Sequence, residues 1–114
     1  MDSILTSVKK MLGIEEEYTH FDSDVTMHIN SVMLSLNQLG VGPSTGFMIT
    51  DSTETWSDLL LDRLDLMAAK TFIFLKVKLV FDPPSSGFVV DAMERQIKEM
   101  EWRLNVQAEK QVTI

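Results

Sequence analysis

The residues best suited to chemistry are His20, Asp24 and His28, an imidazole, a carboxylate and a second imidazole at four-residue spacing. On one continuous helix they would share a face and could ligate a metal. Asp22 and Ser23, however, read as a helix start that falls after His20. That leaves His20 outside the helix and predicts two ordinary surface histidines instead of a metal site. The carboxylates are numerous, but none stands in an apolar stretch that would raise its pKa for acid–base work. Serines are equally common, and none occupies a Gly-x-Ser-x-Gly elbow. The run Gly42-Pro43-Ser44-Thr45-Gly46 lacks the following lysine and the spacing of a phosphate-binding loop. Without a nucleophile and a base to activate it, the sequence predicts no enzyme, no catalytic residue and no cofactor. Trp56 and Trp102 are suited to anchoring an interface, or to closing the ends of a core, with an interface favoured for Trp102 beside its charged neighbours.

The chain that must position these groups has 114 residues, enough for one core and not for two. Its 45% hydrophobic and 24% charged residues are ordinary globular usage, so it should fold. With no cysteine, stability has to come from packing or assembly and not from disulfides or thiolate-bound metal. The net charge of −7, with the ten Lys and Arg residues scattered among acids, argues against binding nucleic acid through phosphate neutralisation. The longest apolar stretch, Phe72 to Phe81, is interrupted by Lys76 and Lys78 and is too short to span a bilayer. The opening Met1-Asp2-Ser3-Ile4-Leu5 has none of the parts of a secretory signal, which predicts synthesis in a cytoplasm and no membrane partner.

Periodicity predicts an all-α fold, a small bundle of about four helices with a long loop between the second and third. Ser3 can cap a first helix carrying Ile4, Leu5, Val8, Met11 and Leu12, with Gly13 as its stop. Glu15, Glu16 and Glu17 read as a solvated connector. A second helix, capped near Asp22-Ser23-Asp24, presents Val25, Ile29, Val32, Met33, Leu36 and Leu39 on one stripe and ends at Gly40. From Val41 to Thr55 periodicity is lost. Within this loop Phe47, Met48 and Ile49 form an apolar cluster that could tuck under the loop, form a short hairpin or meet a partner.

Thr55 and Asp58 resemble a capping box ahead of Leu59, Leu60 and Leu61. After a break near Asp62, a face of Leu64, Met67, Ala68, Thr71, Leu75 and Leu79 predicts another helix. The β-branched and aromatic run from Thr71 to Phe81 alone could be a strand, but the helix formers from Leu66 to Lys70 lead into it without a turn. With Phe72, Ile73, Phe74, Val77 and Val80 added, this helix is apolar nearly all round. It could be the centre of the bundle, or it could need a neighbouring copy to cover Phe72, Phe74 and Val77.

Asp82-Pro83-Pro84 ends that helix, and Ser85, Ser86 and Gly87 begin the last one. Val90, Met93, Ile97, Met100 and Leu104 make a narrow seam along it. Asp91 with Arg95, Glu94 with Lys98, and Glu99 with Arg103 are acid-before-base pairs at i, i+4. Helicity is expected to fade after Val106. This predicts a helical domain over 1–106 and a mobile tail over 107–114, in which Val112 and Ile114 are candidates to order against a partner.

The stretch from Lys70 to Ser86 (KTFIFLKVKLVFDPPSS), followed by Met93 to Asn105 (MERQIKEMEWRLN), resembles the head-tail connector, adaptor or head-completion proteins of long-tailed phages and prophages of Gram-positive bacteria. The first helix, the turn NQLGVGP from Asn37 to Pro43 and the loop after it are also similar. The resemblance implies a non-catalytic virion protein at the head-tail junction: a helical subunit of a ring, dodecameric in the usual arrangement. Such a ring sits beneath a portal protein, offers a dock to a tail or stopper protein, and lets DNA pass without specific binding. On this view Phe47, Met48, Ile49, Phe72, Phe74, Val77, Trp102, Val112 and Ile114 are the candidate contacts with other subunits or partners. A small dimeric helical regulator or adaptor, joined through the seam of the last helix, is the alternative.

Overall fold

A computed structural model describes residues 3–61 and 63–109. Among these residues five helices are formed: α1 (Ile4–Met11), α2 (Asp22–Gln38), α3 (Trp56–Leu60), α4 (Ala68–Phe81) and α5 (Gly87–Glu109). A 3₁₀ turn, Leu64–Leu66, leads into α4. The fold is the all-α bundle expected, with four longer helices, one short one, and the long loop between α2 and α3. Its extents of 45 × 35 × 19 Å make it a slab about two helix diameters thick.

The helix ends follow from local chemistry. The Thr6 amide donates to Ser3 Oγ at 3.2 Å, capping α1. Gly13 ends it at φ +83°, with the Ile14 amide bonded to Lys9 O and the Gly13 amide to Lys10 O, a Schellman motif. Gly40 repeats this at the end of α2, where the Val41 amide reaches Leu36 O and the Gly40 amide reaches Asn37 O. The capping box of α3 is formed in both directions, Asp58 N to Thr55 Oγ1 and Thr55 N to Asp58 Oδ2. Leu61 closes α3 in the left-handed conformation at φ 55°, which breaks the chain before α4. The start of α2 differs from expectation: Asp22 is already helical and no side chain caps the helix. The Asp22 carboxylate is instead 2.7 Å from Lys9 Nζ, a nearly inaccessible ammonium that also donates to Glu16 O at 3.0 Å. Burying a lone ammonium would be costly, so this pairing ties the acidic connector to α1 and α2.

The centre of the fold is α4, which packs on both α2 and α5 and touches α1. Ala69, Phe72, Ile73 and Val77 are wholly inaccessible, and Leu75 nearly so. Phe74, Leu79 and Phe81 are half-buried against the same core. Of the two readings of this helix, it is the centre of the bundle, and the candidate contacts Phe72 and Val77 are corrected: both are enclosed by a single chain. The deepest stripe is Ala69, Phe72, Ile73 and Val77, and not the face drawn through Met67, Thr71 and Leu79; Met67 is exposed. A helix packed on two sides has two buried stripes, so no single stripe dominates its sequence.

The seam of α5 is used inside the chain. Ile97 and Leu104 are buried, and Met93 and Met100 are half-buried against the core. The Glu99–Arg103 pair closes at 3.3 Å. The helix continues past Val106 to Glu109, with Ala108 buried. The expected tail is thus helical over its first residues, and the remainder, 110–114, lies outside the described residues. Asn105 Nδ2 donates to Leu39 O at 3.4 Å, and a Cβ at Gly40 would stand 3.2 Å from Ala108 Cβ, so α5 ends against the C-terminus of α2.

The long loop is tied down at its middle and its end. The Asn30 side chain donates to Ile49 O at 2.9 Å and accepts from the Ile49 amide at 2.8 Å, filling the role of a paired strand. Near the end, the Ile4 amide donates to Glu54 O at 3.0 Å. Trp56 is buried, its Nε1 donating to Ser7 Oγ at 3.1 Å, so it belongs to the core and not to an interface. Between these ties Asp51 Oδ1 accepts from the side chain and amide of Thr53, which holds its carboxyl below the usual range. Partial burial pushes Glu54 up, but hydrogen bonds from Thr50, Asp51 and its own backbone outweigh this and leave its pKa lowered.

Three outcomes are expected. Gly13→Ala, with open space around the Cβ, should cost about 1–2 kcal/mol for its left-handed backbone alone; Gly40→Ala should cost more in urea denaturation, because α5 must also shift. Asn30→Ala should cost about 2 kcal/mol by stripping the Ile49 amide and carbonyl, and should speed hydrogen exchange at Ile49 while circular dichroism keeps the helical signal. Because the folded pKa values of Asp51 and Glu54 lie below their ordinary 3.8 and 4.5, their contribution is full above those values and lost as pH falls through the lowered ones. An acid titration followed by NMR should therefore loosen residues 50–54 before the helices.

Candidate docking surface

His20 lies in the turn before α2, its ring 4.8 Å from that of Phe21. His28 is on α2 with its ring 6.3 Å from Phe81. Among the described residues no three His, Cys, Asp or Glu side chains converge as a metal site. The carboxyls with lowered pKa, Asp51 and Glu54, bond to their own loop and shape it.

The structure does, however, leave large apolar side chains in water at particular places. On α2, Met27 and Leu34 stand two turns apart on the side away from the Val25–Ile29–Val32–Leu36 stripe, and Leu34 is 65% exposed. The loop crosses beside Leu34, and burial alternates along it from Met48 to Thr50. Ile49 turns into the core, Met48 turns out at 66% exposed, and Phe47 packs half-buried against the core edge. Because Asn30 grips the backbone of Ile49, Met48 is held out by a fixed segment. Between loop and helix lies a groove of about 500 Å³, walled by Met33, Leu34, Phe47 and Met48 with Asn30 and Asn37. No charged side chain lines it.

Two further places are apolar and exposed. Phe88, 79% exposed, and Val89 open α5 immediately after the Asp82-Pro83-Pro84 break, and Val80 stands out near the end of α4. Trp102, 68% exposed, lies on α5 among Asp65, Arg103 and Gln107.

The residues singled out from sequence thus separate. Met48 and Trp102 are accessible, Phe47 and Phe74 are partly so, and Ile49, Phe72 and Val77 are interior and offer no contact surface. Val112 and Ile114 lie outside the described residues. Sequence reasoning missed Met27, Leu34 and Phe88. A signal for the first two existed: apolar residues at i and i+7 on the polar side of an amphipathic helix have no place in its core. Among the described residues no helix is long and apolar enough to cross a membrane.

Comparison with curated proteins gave no match, and comparison with solved structures gave none. Comparison with protein families matched one, described as phage connector protein, over residues 4–111. The match runs from the first residue of α1 to beyond the end of α5 and so takes in every element of the bundle. It points to a structural part of a virion, in keeping with the exposed apolar surfaces. The chain belongs to the phage connector protein family.

Proposed function

We propose that this chain is a head-tail connector subunit that forms a ring, dodecameric as the resemblance implies, between the portal of a capsid and the tail or stopper. It conducts DNA without catalysing a reaction. The observation that carries this reading is the family match over residues 4–111. The physical features agree with it. A ring closed by head-to-tail contacts needs two different lateral surfaces on each subunit, and further surfaces for the components above and below. Among the exposed apolar side chains of this slab, Met48, Phe88 and Trp102 stand at three separate places. Exposed aromatic residues are typical anchors in such contacts. The net charge of −7 suits a conduit for DNA, since a basic lumen would hold phosphate and slow passage. Val112 and Ile114, outside the described residues, are further candidate contacts.

The alternative, a dimeric regulator joined through the seam of α5, has lost its main support, because Ile97 and Leu104 are spent on the core of one chain.

The test is to mix the purified chain with portal-bearing, tailless capsids and look for an added ring by electron microscopy. The expected result is a ring on the portal vertex with wild-type protein. Trp102→Asp should lose tenfold or more in occupancy, about 1.4 kcal/mol or more, without a change in melting temperature. A bare portal with wild-type chain, together with a stable two-subunit species in solution, would overturn the reading.

A further inference from the structure

We infer that neighbouring copies of this chain meet head to tail, with Phe88 and Val89 of one copy seated in the groove between α2 and the Phe47–Met48 segment of the next. The first observation is where charge is missing. In a chain that is 24% charged and carries −7 overall, no Asp, Glu, Lys, Arg or His occurs from Ile29 to Thr50 or from Pro83 to Val90, the two longest such runs in the sequence. Copies of so acidic a chain repel one another, and like charges brought together at an interface oppose docking. Charge-free surfaces escape this penalty. The first run holds the groove, with Leu34 and Met48 exposed, and the second holds Phe88, at 79% the most exposed large apolar side chain among the described residues.

The second observation is chemistry. The amides at the groove edge are committed to the loop: Asn30 bonds both backbone groups of Ile49, and Asn37 Nδ2 donates to Pro43 O at 3.3 Å. The walls of Leu34, Phe47 and Met48 therefore suit an apolar occupant that needs no hydrogen bond, and about 500 Å³ has room for a phenyl ring with a valine beside it. Phe88 and Val89 are such a pair, presented by the first turn of α5. Trp102, also exposed on α5, stands among Asp65, Arg103 and Gln107 and matches an uncharged groove less well.

The third is position. The Phe81 ring packs on Phe21, so the break between α4 and α5 lies at the N-terminal end of α2, whereas Asn105 bonds Leu39 O and brings the end of α5 to the C-terminal end of α2. With Ala108 against Gly40, Phe88 about 30 Å along α5 from Ala108, and Leu34 about 9 Å along α2 from Gly40, at least about 15 Å separates Phe88 from Leu34 within one chain. Phe88 cannot fill its own groove. It can fill that of another copy, and because the two surfaces differ and lie apart, the same contact can repeat from copy to copy. Closure of that series into a ring rests on the proposed function, whereas the pairing of the two surfaces does not.

The chain has no cysteine, so single thiols can be placed beside the contact. Gly87 has open space at its Cβ, and Thr45 is exposed at the groove edge. Thr45→Cys and Gly87→Cys chains, mixed one to one and treated with a short bismaleimide, should give at least tenfold more crosslinked pair than either alone. The Thr45→Cys/Gly87→Cys double variant should give a ladder beyond the pair. Adding Phe88→Ser to the Gly87→Cys chain should lower the yield tenfold at unchanged melting temperature, and added salt should raise the yield by screening the repulsion between acidic copies. A yield indifferent to Phe88→Ser, a yield that falls with salt, or a double variant that stops at the pair would overturn the proposal. The reaction is run on the concentrated free chain and on the chain mixed with portal-bearing capsids. Rings visible by electron microscopy in which the mixture crosslinks no better than the single variants would overturn the contact and leave the proposed function standing. Bare portals with a free chain that crosslinks as expected would overturn the proposed function and leave the contact standing. Bare portals with no crosslink would overturn both.

Discussion

The structure depends on the burial of α4. Ala69, Phe72, Ile73 and Val77 have no contact with water, and each large apolar side chain so removed contributes roughly 1.5–3 kcal/mol. α2 and α5 both pack on this helix, α1 touches it, the loop between α2 and α3 carries Ile49 into the same core, and α3 adds Trp56. One chain therefore encloses the deepest stripe of its most apolar helix without a neighbour, while Val80 stays exposed and Phe74 and Leu79 are half-buried. The large apolar side chains left exposed, Met48, Phe88 and Trp102 among them, lie on the outer surfaces.

This division explains why the bundle is a thin slab. With α4 central and one helix packed on each side of it, much of α2 and α5 has only solvent to face. The loop is drawn onto α2 by the Asn30 side chain, which satisfies the Ile49 amide and carbonyl together. The same grip fixes the alternation that sends Ile49 inward and Met48 outward. Met48 thus stands on an anchored backbone beside an uncharged groove, and a partner docking there would have less backbone to order.

Much of the fold was legible because its boundaries are local. Ser3, Gly13, Gly40, the Thr55–Asp58 box and the Asp82-Pro83-Pro84 break each act within a turn of the backbone, and each does what its residue type dictates. The start of α2 was misjudged because Asp22 is held by Lys9, a partner thirteen residues away that no local pattern marks. The cover of α4 stayed open between two readings for a related reason. An all-round apolar helix reads the same whether its cover comes from its own chain or from another, and only the packing of α2 and α5 decides. Of the candidate contacts, Met48 and Trp102 were recognisable as large side chains in polar settings. Leu34 was passed over because it neighbours Met33, a true core residue, and the two differ only in helical phase.

Hydrogen exchange of the α4 amides, compared between the free subunit and the assembled head-tail junction, tests the central claim most directly. If one chain encloses α4, amides between Phe72 and Leu79 are already strongly protected in the free subunit and change little on assembly. New protection should then appear around Met48, Phe88 and Trp102. An α4 that exchanges freely in the isolated chain and gains protection only within the junction would contradict the account.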